Sequence, residues 1–289
     1  MRRWGLIAGC GFVLLAFAGC ATIRSRGDRD VPSAAQSALV QQLSQTAQAA
    51  IDRRDYDQAR ANLERLVAES PRSAEALHRL GRVLQLQGQF DEAKRSYRKA
   101  LEIDPEYVGA LIGLGEIDDR LGQSEPALKR LESAIEIDPQ KAEAHFARGR
   151  ILEASGRPDE ALAAYFRTLE LDPSSAPVIL RIATLQLGRR EPEQALTRLD
   201  QVLELTPGDP EAHFRRGQAH LALNQPTLAV ADLQVASQSL SNRPDVFYNL
   251  ALALNADHKA DDALNAAQHA LTLAPNDPAA RTLTERLRR

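Results

Sequence analysis

The chain has 289 residues and a formal charge of −3. Without a basic excess to neutralise phosphates, nucleic acid is disfavoured as a partner. Apolar residues make up 44% but aromatics only 4%, so the core must be built from Leu, Ala, Ile and Val, as stacked helices allow.

Residues 1–19 read as an export leader. Arg2 and Arg3 precede an apolar run from Trp4 to Ala18, too short for a span of about 20 residues. Phe17-Ala18-Gly19-Cys20 resembles the lipobox of bacterial lipoproteins, with Phe17 where that family usually has Leu. Ile7-Ala8-Gly9-Cys10 matches the letters better but follows too few apolar residues. The resemblance implies cleavage before Cys20 and lipid on its sulfur, a palmitate-type anchor. Ordinary secretory cleavage, or an uncleaved anchor, is the alternative. Residue 21 is Ala, not the Asp tied to inner-membrane retention in that family, so the implied location is the outer membrane, facing the periplasm. Residues 20–39 mix charge, Gly, Pro and Ser without an apolar period and read as a flexible tether.

From residue 40 the sequence repeats every 34 residues. A small residue recurs at Ala59, Ala93, Ala127, Ala161, Ala195, Ala229 and Ala263. A proline recurs at Pro71, Pro105, Pro139, Pro173, Pro207 and Pro275, with Ser241 the exception. A third column holds Ala47, Gly81, Gly115, Gly149, Ala183, Gly217 and Ala251. Each unit reads as two helices, for example Ala74–Gln87 and Phe90–Ile103, joined at Gly88. Small residues such as Gly81 and Ala93 let the pair approach closely, and Pro105 stops the second helix. Ala100 and Ile103 are expected to pack on the next unit. Ser237 and Ser239, where other units carry apolar residues, predict a weaker sixth joint. In "NDPAARTLTERLRR" Asp277 reads as an N-cap, with Pro278 opening a final amphipathic helix.

With Leu80-Gly81, Ala93, Tyr97 and Pro105 in their places, the pattern resembles the tetratricopeptide repeat. The resemblance implies an all-α, right-handed α-solenoid: seven tandem helix hairpins over residues 40–277 and a capping helix over 278–289. It also implies a concave groove lined by the fifth and ninth positions of each first helix. Carried over residue by residue, these are His78 and Arg82, Ile112 and Glu116, Phe146 and Arg150, Leu180 and Thr184, Phe214 and Gln218, Tyr248 and Leu252, with Ser44 and Gln48 in the first unit. Phe146, Phe214 and Tyr248 are the expected aromatic anchors, and the groove is expected to turn apolar from the third unit onward. A carboxylate clamp of Lys and Asn is absent from every unit.

No catalytic residues or metal ligands stand out. His145 and His213 occupy packing positions, and His213 and His220 share a helix face without an evident third ligand. Asp118-Asp119 and Asp261-Asp262 read as solvated pairs, and no HExxH or Gly-rich phosphate loop occurs. The expectation is a non-enzymatic scaffold with no cofactor beyond lipid on Cys20. It would hold a partner's protein segment for an envelope assembly, either pilus or secretion machinery, in the manner of pilotin-type lipoproteins, or cell-wall enzymes. A self-associating structural protein using the three aromatics is the alternative, and an enzyme or metalloprotein the least favoured.

Overall fold

The structure, a computed structural model, describes residues 34–288. The leader, Cys20 and most of the tether lie outside the described residues. Among the described residues there are fifteen helices and no strand. They form seven hairpins: α1 (Ala34–Asp52) with α2 (Tyr56–Glu69), α3 (Ala74–Leu86) with α4 (Phe90–Ile103), α5 (Val108–Arg120) with α6 (Ser124–Ile137), α7 (Ala142–Ala154) with α8 (Pro158–Leu171), α9 (Ala176–Gly188) with α10 (Pro192–Leu205), α11 (Pro210–Ala222) with α12 (Pro226–Ser239), and α13 (Pro244–Ala256) with α14 (Ala260–Leu273). The cap is α15 (Pro278–Leu287), where Asp277 accepts a hydrogen bond from the Ala279 amide and Ala280 and Leu283 are buried.

Helix α1 begins at Ala34, so residues 34–39, assigned to the tether from sequence, are helical. Ala34–Ala38 are exposed. Alanine propensity rather than packing therefore extends the helix, and an apolar period could not reveal it. Burial begins in earnest at Leu43.

Every hairpin turns on a residue with positive φ, again 34 apart. Gly88, Gly122 and Gly156 hold three of these positions; Arg54, Arg190, Asn224 and His258 hold the other four, with φ between 56° and 61°. At the unit exits the Asp before Pro does more than end a helix. Asp104 accepts from the Glu106 amide and Asp138 from the Gln140 amide, tying each turn. Ala100 is buried as expected. Ile103 is not packed under the next unit: it is 36% exposed, because it sits at the last turn where the chain leaves for the next hairpin.

The small columns work by admitting rings. A Cβ on Gly81 would lie 2.6 Å from the Tyr97 ring, and Gly113 on the next hairpin meets the same ring from the other side. Tyr97 is thus a wedge between α3 and α5, fully buried, with its hydroxyl donating to Gln85 Oε1. Tyr165 repeats the device against Gly149 and donates to Glu153. Where the second helix carries Leu instead, the partner can be Ala, as in Ala47 with Leu63 and Ala183 with Leu199, all fully buried.

Two sequence expectations about the joints are corrected. The junction between α12 and α13 is packed as closely as any other second helix on its successor. Arg243, in the exit turn, binds Glu211 and Asp245 and covers the Phe214 ring, tying the turn back to α11. Asp118 is buried rather than solvated. It joins Lys94 of α4 at 2.8 Å and Arg130 of α6 at 2.7 Å, linking three successive helices. Burial alone would raise its pKa, but the hydrogen bonds from Lys94 and Arg130 outweigh that and hold it below the usual carboxylate range.

Candidate partner-binding groove

First helices line one wall. Helices α3, α5 and α7 touch in series, as do α9, α11 and α13. A trough runs along the first of these runs. One cavity of about 530 Å³ lies over Ser44, Gln48, His78, Arg79 and Arg82; a second of about 460 Å³ lies over His78, Arg82, Ile112, Gly113 and Glu116. The two share His78, Arg82 and Tyr107, so they are continuous. These cavities lie over the first hairpins, where the sequence places the charged half of the groove.

His78 forms the floor between the cavities. Its ring is tilted against Tyr97 (5.8 Å between centroids) and Tyr107 (5.4 Å). A side chain on Gly109 would collide with it: a Cβ there would stand 2.9 Å from Nε2. Burial first, then the Arg82 charge, lower the His78 pKa to about 4, so it is neutral at pH 7. Arg79 is committed to α1, donating to Ser44 Oγ (2.6 Å) and the Ser44 carbonyl (3.1 Å). Gln85 donates to Glu116 Oε2 at 2.9 Å while accepting from Tyr97. That relay fixes the Glu116 carboxylate. Arg82 and Arg150 make no hydrogen bond or ion pair among the described residues.

The three expected aromatic anchors do not share a surface. Phe214 is a correction: it is 0% exposed and packs among Leu233, Val246 and Leu250, with the Arg215 and Arg243 guanidiniums 5.1 and 4.7 Å from its centroid. Its hairpin carries Leu233 where the second and fourth carry tyrosine, and the Phe214 ring fills inward. Ile112 is also buried, at 7% exposure. Phe146 is partly exposed beside Tyr165. Tyr248, also partly exposed, borders a cleft of about 370 Å³ with Pro278, Leu283 and Arg286 of the cap. Leu180 and Leu252 are partly buried, the Thr184 hydroxyl is turned onto the Leu180 carbonyl, and Gln218 accepts from Arg215. The burial of Phe214 removes it from any dimer surface. Sequence reasoning missed Tyr107 and Lys141, the last groove residues before α5 and α7; an aromatic in an exit turn was the available signal.

Two histidines outside the trough have polar partners. His213 Nδ1 lies 2.9 Å from Asp232 Oδ1 and its Nε2 3.0 Å from the Pro207 carbonyl. Arg216 grips both Asp232 oxygens and reaches Asp200. His145 Nε2 lies 3.0 Å from the Pro139 carbonyl. Among the described residues no cluster of three or more His, Cys, Asp or Glu is arranged to hold a metal. No described helix is long and apolar enough to cross a membrane.

Three family models described as tetratricopeptide repeat match the sequence, over residues 39–106 and 72–140, 112–176, and 152–221. No curated protein matches. Among solved structures, PilF of Pseudomonas aeruginosa superposes with a TM-score of 0.67 at 19% identity, covering 74% of this chain and 97% of that one. PilW, described as a widely conserved type IV pilus biogenesis factor, gives 0.62 at 20%, covering 73% and 97%. YrrB, described as having an unusual peptide-binding site, gives 0.58 at 21%, covering 65% and 97%. At these identities the likeness speaks for the fold.

Proposed function

This chain belongs to the tetratricopeptide-repeat family, a class of protein-interaction scaffolds, and on that premise we propose that it is a lipid-anchored scaffold holding a segment of a partner protein for assembly of an envelope complex. The observation that carries the binding half is the continuous trough over α1, α3 and α5, with an unpartnered Arg82 at its centre and a rigid wall beneath. An open polar and aromatic channel on packed helices suits capture of a chain segment, with no reacting group aimed into it. The anchoring half is supported by Gly19-Cys20 behind the apolar run from Trp4. Acyl burial contributes about 0.8 kcal/mol per CH₂, and more than one chain makes attachment stable. The likeness to PilW, described as a type IV pilus biogenesis factor, makes a pilus assembly the first complex to test.

The test is site-specific photocrosslinking in cells. A crosslinker at Arg82 or Arg150 captures one partner; at Arg98 or Glu132, exposed on second helices, it does not. Capture from both faces alike, or from the second helices alone, overturns the groove. In the same cells Cys20→Ser moves the protein out of the membrane fraction or leaves it unprocessed, and unchanged membrane retention with normal processing overturns the anchor.

A further inference from the structure

Resting on the scaffold reading above, we infer the chemistry of the captured segment: a polyproline II stretch bearing acid, base, acid at every third residue, seated across α3, α5 and α7. The ninth position of these helices holds Arg82, Glu116 and Arg150. Arg82 is exposed and Arg150 partly so, and neither guanidinium has an internal partner among the described residues. Arg82 lines the same cavity as the Tyr97 wedge, and Arg150 follows Gly149, against which the Tyr165 ring packs. Between them Glu116 is fixed through one oxygen by the Tyr97–Gln85 relay, which leaves Oε1 free to accept.

The order plus, minus, plus is thus built into adjacent helices. Of the other charges at the mouth, Lys141 pairs with Glu143 at 3.0 Å and Arg79 is committed to Ser44, while Glu75 lies at the outer end, over the first cavity. In the second run of first helices the same position holds Thr184, Gln218 and Leu252, so the pattern stops after α7.

Spacing selects the conformation. Helices in contact lie about 8–10 Å apart. A β-strand rises about 3.3 Å per residue and returns a side chain to the same face every second residue, near 6.6 Å. Polyproline II rises about 3.1 Å with three residues per turn, so one face recurs every 9 Å or so. Only the latter keeps step with successive helices. The rings of His78 and Tyr107 beside Arg82, tilted 56° to each other, supply an aromatic-lined groove of the kind such segments dock on. The complement, acid-base-acid, reads the same in both chain directions.

Fluorescence anisotropy on the full-length chain in mild detergent tests this. The probes are labelled Asp-Pro-Pro-Arg-Pro-Pro-Asp, its charge-reversed form Lys-Pro-Pro-Glu-Pro-Pro-Lys, and the half-step Asp-Pro-Arg-Pro-Asp. The first binds at least tenfold more tightly than either of the others, and raising salt weakens it. In the variant Arg82→Glu, Glu116→Arg, Arg150→Glu, with an unchanged melting temperature, the charge preference inverts. Equal affinities, a preference unmoved by the variant, or no binding of any probe overturns the inference. If the probes fail while Arg82 still crosslinks a partner, the scaffold reading stands and this one falls. If the probes bind as stated while crosslinks come only from second helices, the scaffold reading falls instead.

Discussion

At the scale of single residues, one ring explains two glycines. Tyr97 occupies the space that a side chain on Gly81 or Gly113 would need, and it is fully buried. Gly81→Ala therefore lowers stability by about 1–3 kcal/mol through overpacking. Replacing Tyr97 by Leu in the same chain recovers part of that loss, because Ala with Leu already coexists at Ala47–Leu63 and Ala183–Leu199. Urea melts of the single and double variants measure the coupling, and strict additivity would show that the ring is not the obstacle. The same reasoning shows why the sequence misplaced Phe214. Its position in the repeat said groove, but which way a ring points depends on the volume left by its neighbours. Leu233 lies on α12, and Val246 and Leu250 on α13, and a one-dimensional pattern does not carry their distances from Phe214 on α11.

At the scale of the element, helix existence was legible and helix ends were less so. The limits of α4 coincide with the sequence reading because Ile103, Asp104 and Pro105 form a terminus with both a stop and an Asx contact. Start of α1 was missed because exposed alanines carry no apolar period. Turns were half legible: glycine announced three positive-φ positions, while Arg54, Arg190, Asn224 and His258 adopt the same backbone without announcing it. A left-handed conformation costs a residue with a Cβ about 1–2 kcal/mol. Arg190 also spends nothing on a partner of its own; it is exposed. Arg190→Gly is thus expected to raise stability, by about 0.5–1 kcal/mol after the extra freedom of glycine in the unfolded chain is subtracted. Thermal denaturation of the variant checks the sign, and a lower midpoint would mean that the strain is relieved in some other way.

For the whole molecule, the repeat column determines the architecture, and the groove only in outline. Seven phased hairpins follow from the evenly spaced alanines, whereas the depth of the trough depends on which ninth-position side chains remain unpaired. That is a three-dimensional fact: Gln218 and Thr184 are spent on neighbours, Arg82 and Arg150 are not. Since each hairpin touches only those close to it in the array, damage should stay local. Phe214→Ala removes a fully buried ring, a loss of about 3–5 kcal/mol. Amide hydrogen exchange should quicken in α11–α13 and stay unchanged in α1–α4. Uniform acceleration along the chain would show instead that the array opens as one cooperative body.

The unbroken 34-residue step through seven turns has a further consequence. Because Asp138-Pro139 and Asp172-Pro173 are the same junction one unit apart, length behaves here like the number of links in a chain. Whole links can be added or removed by duplication without altering how any splice is made, so the reach of this wall is an adjustable dimension rather than a fixed property of the fold.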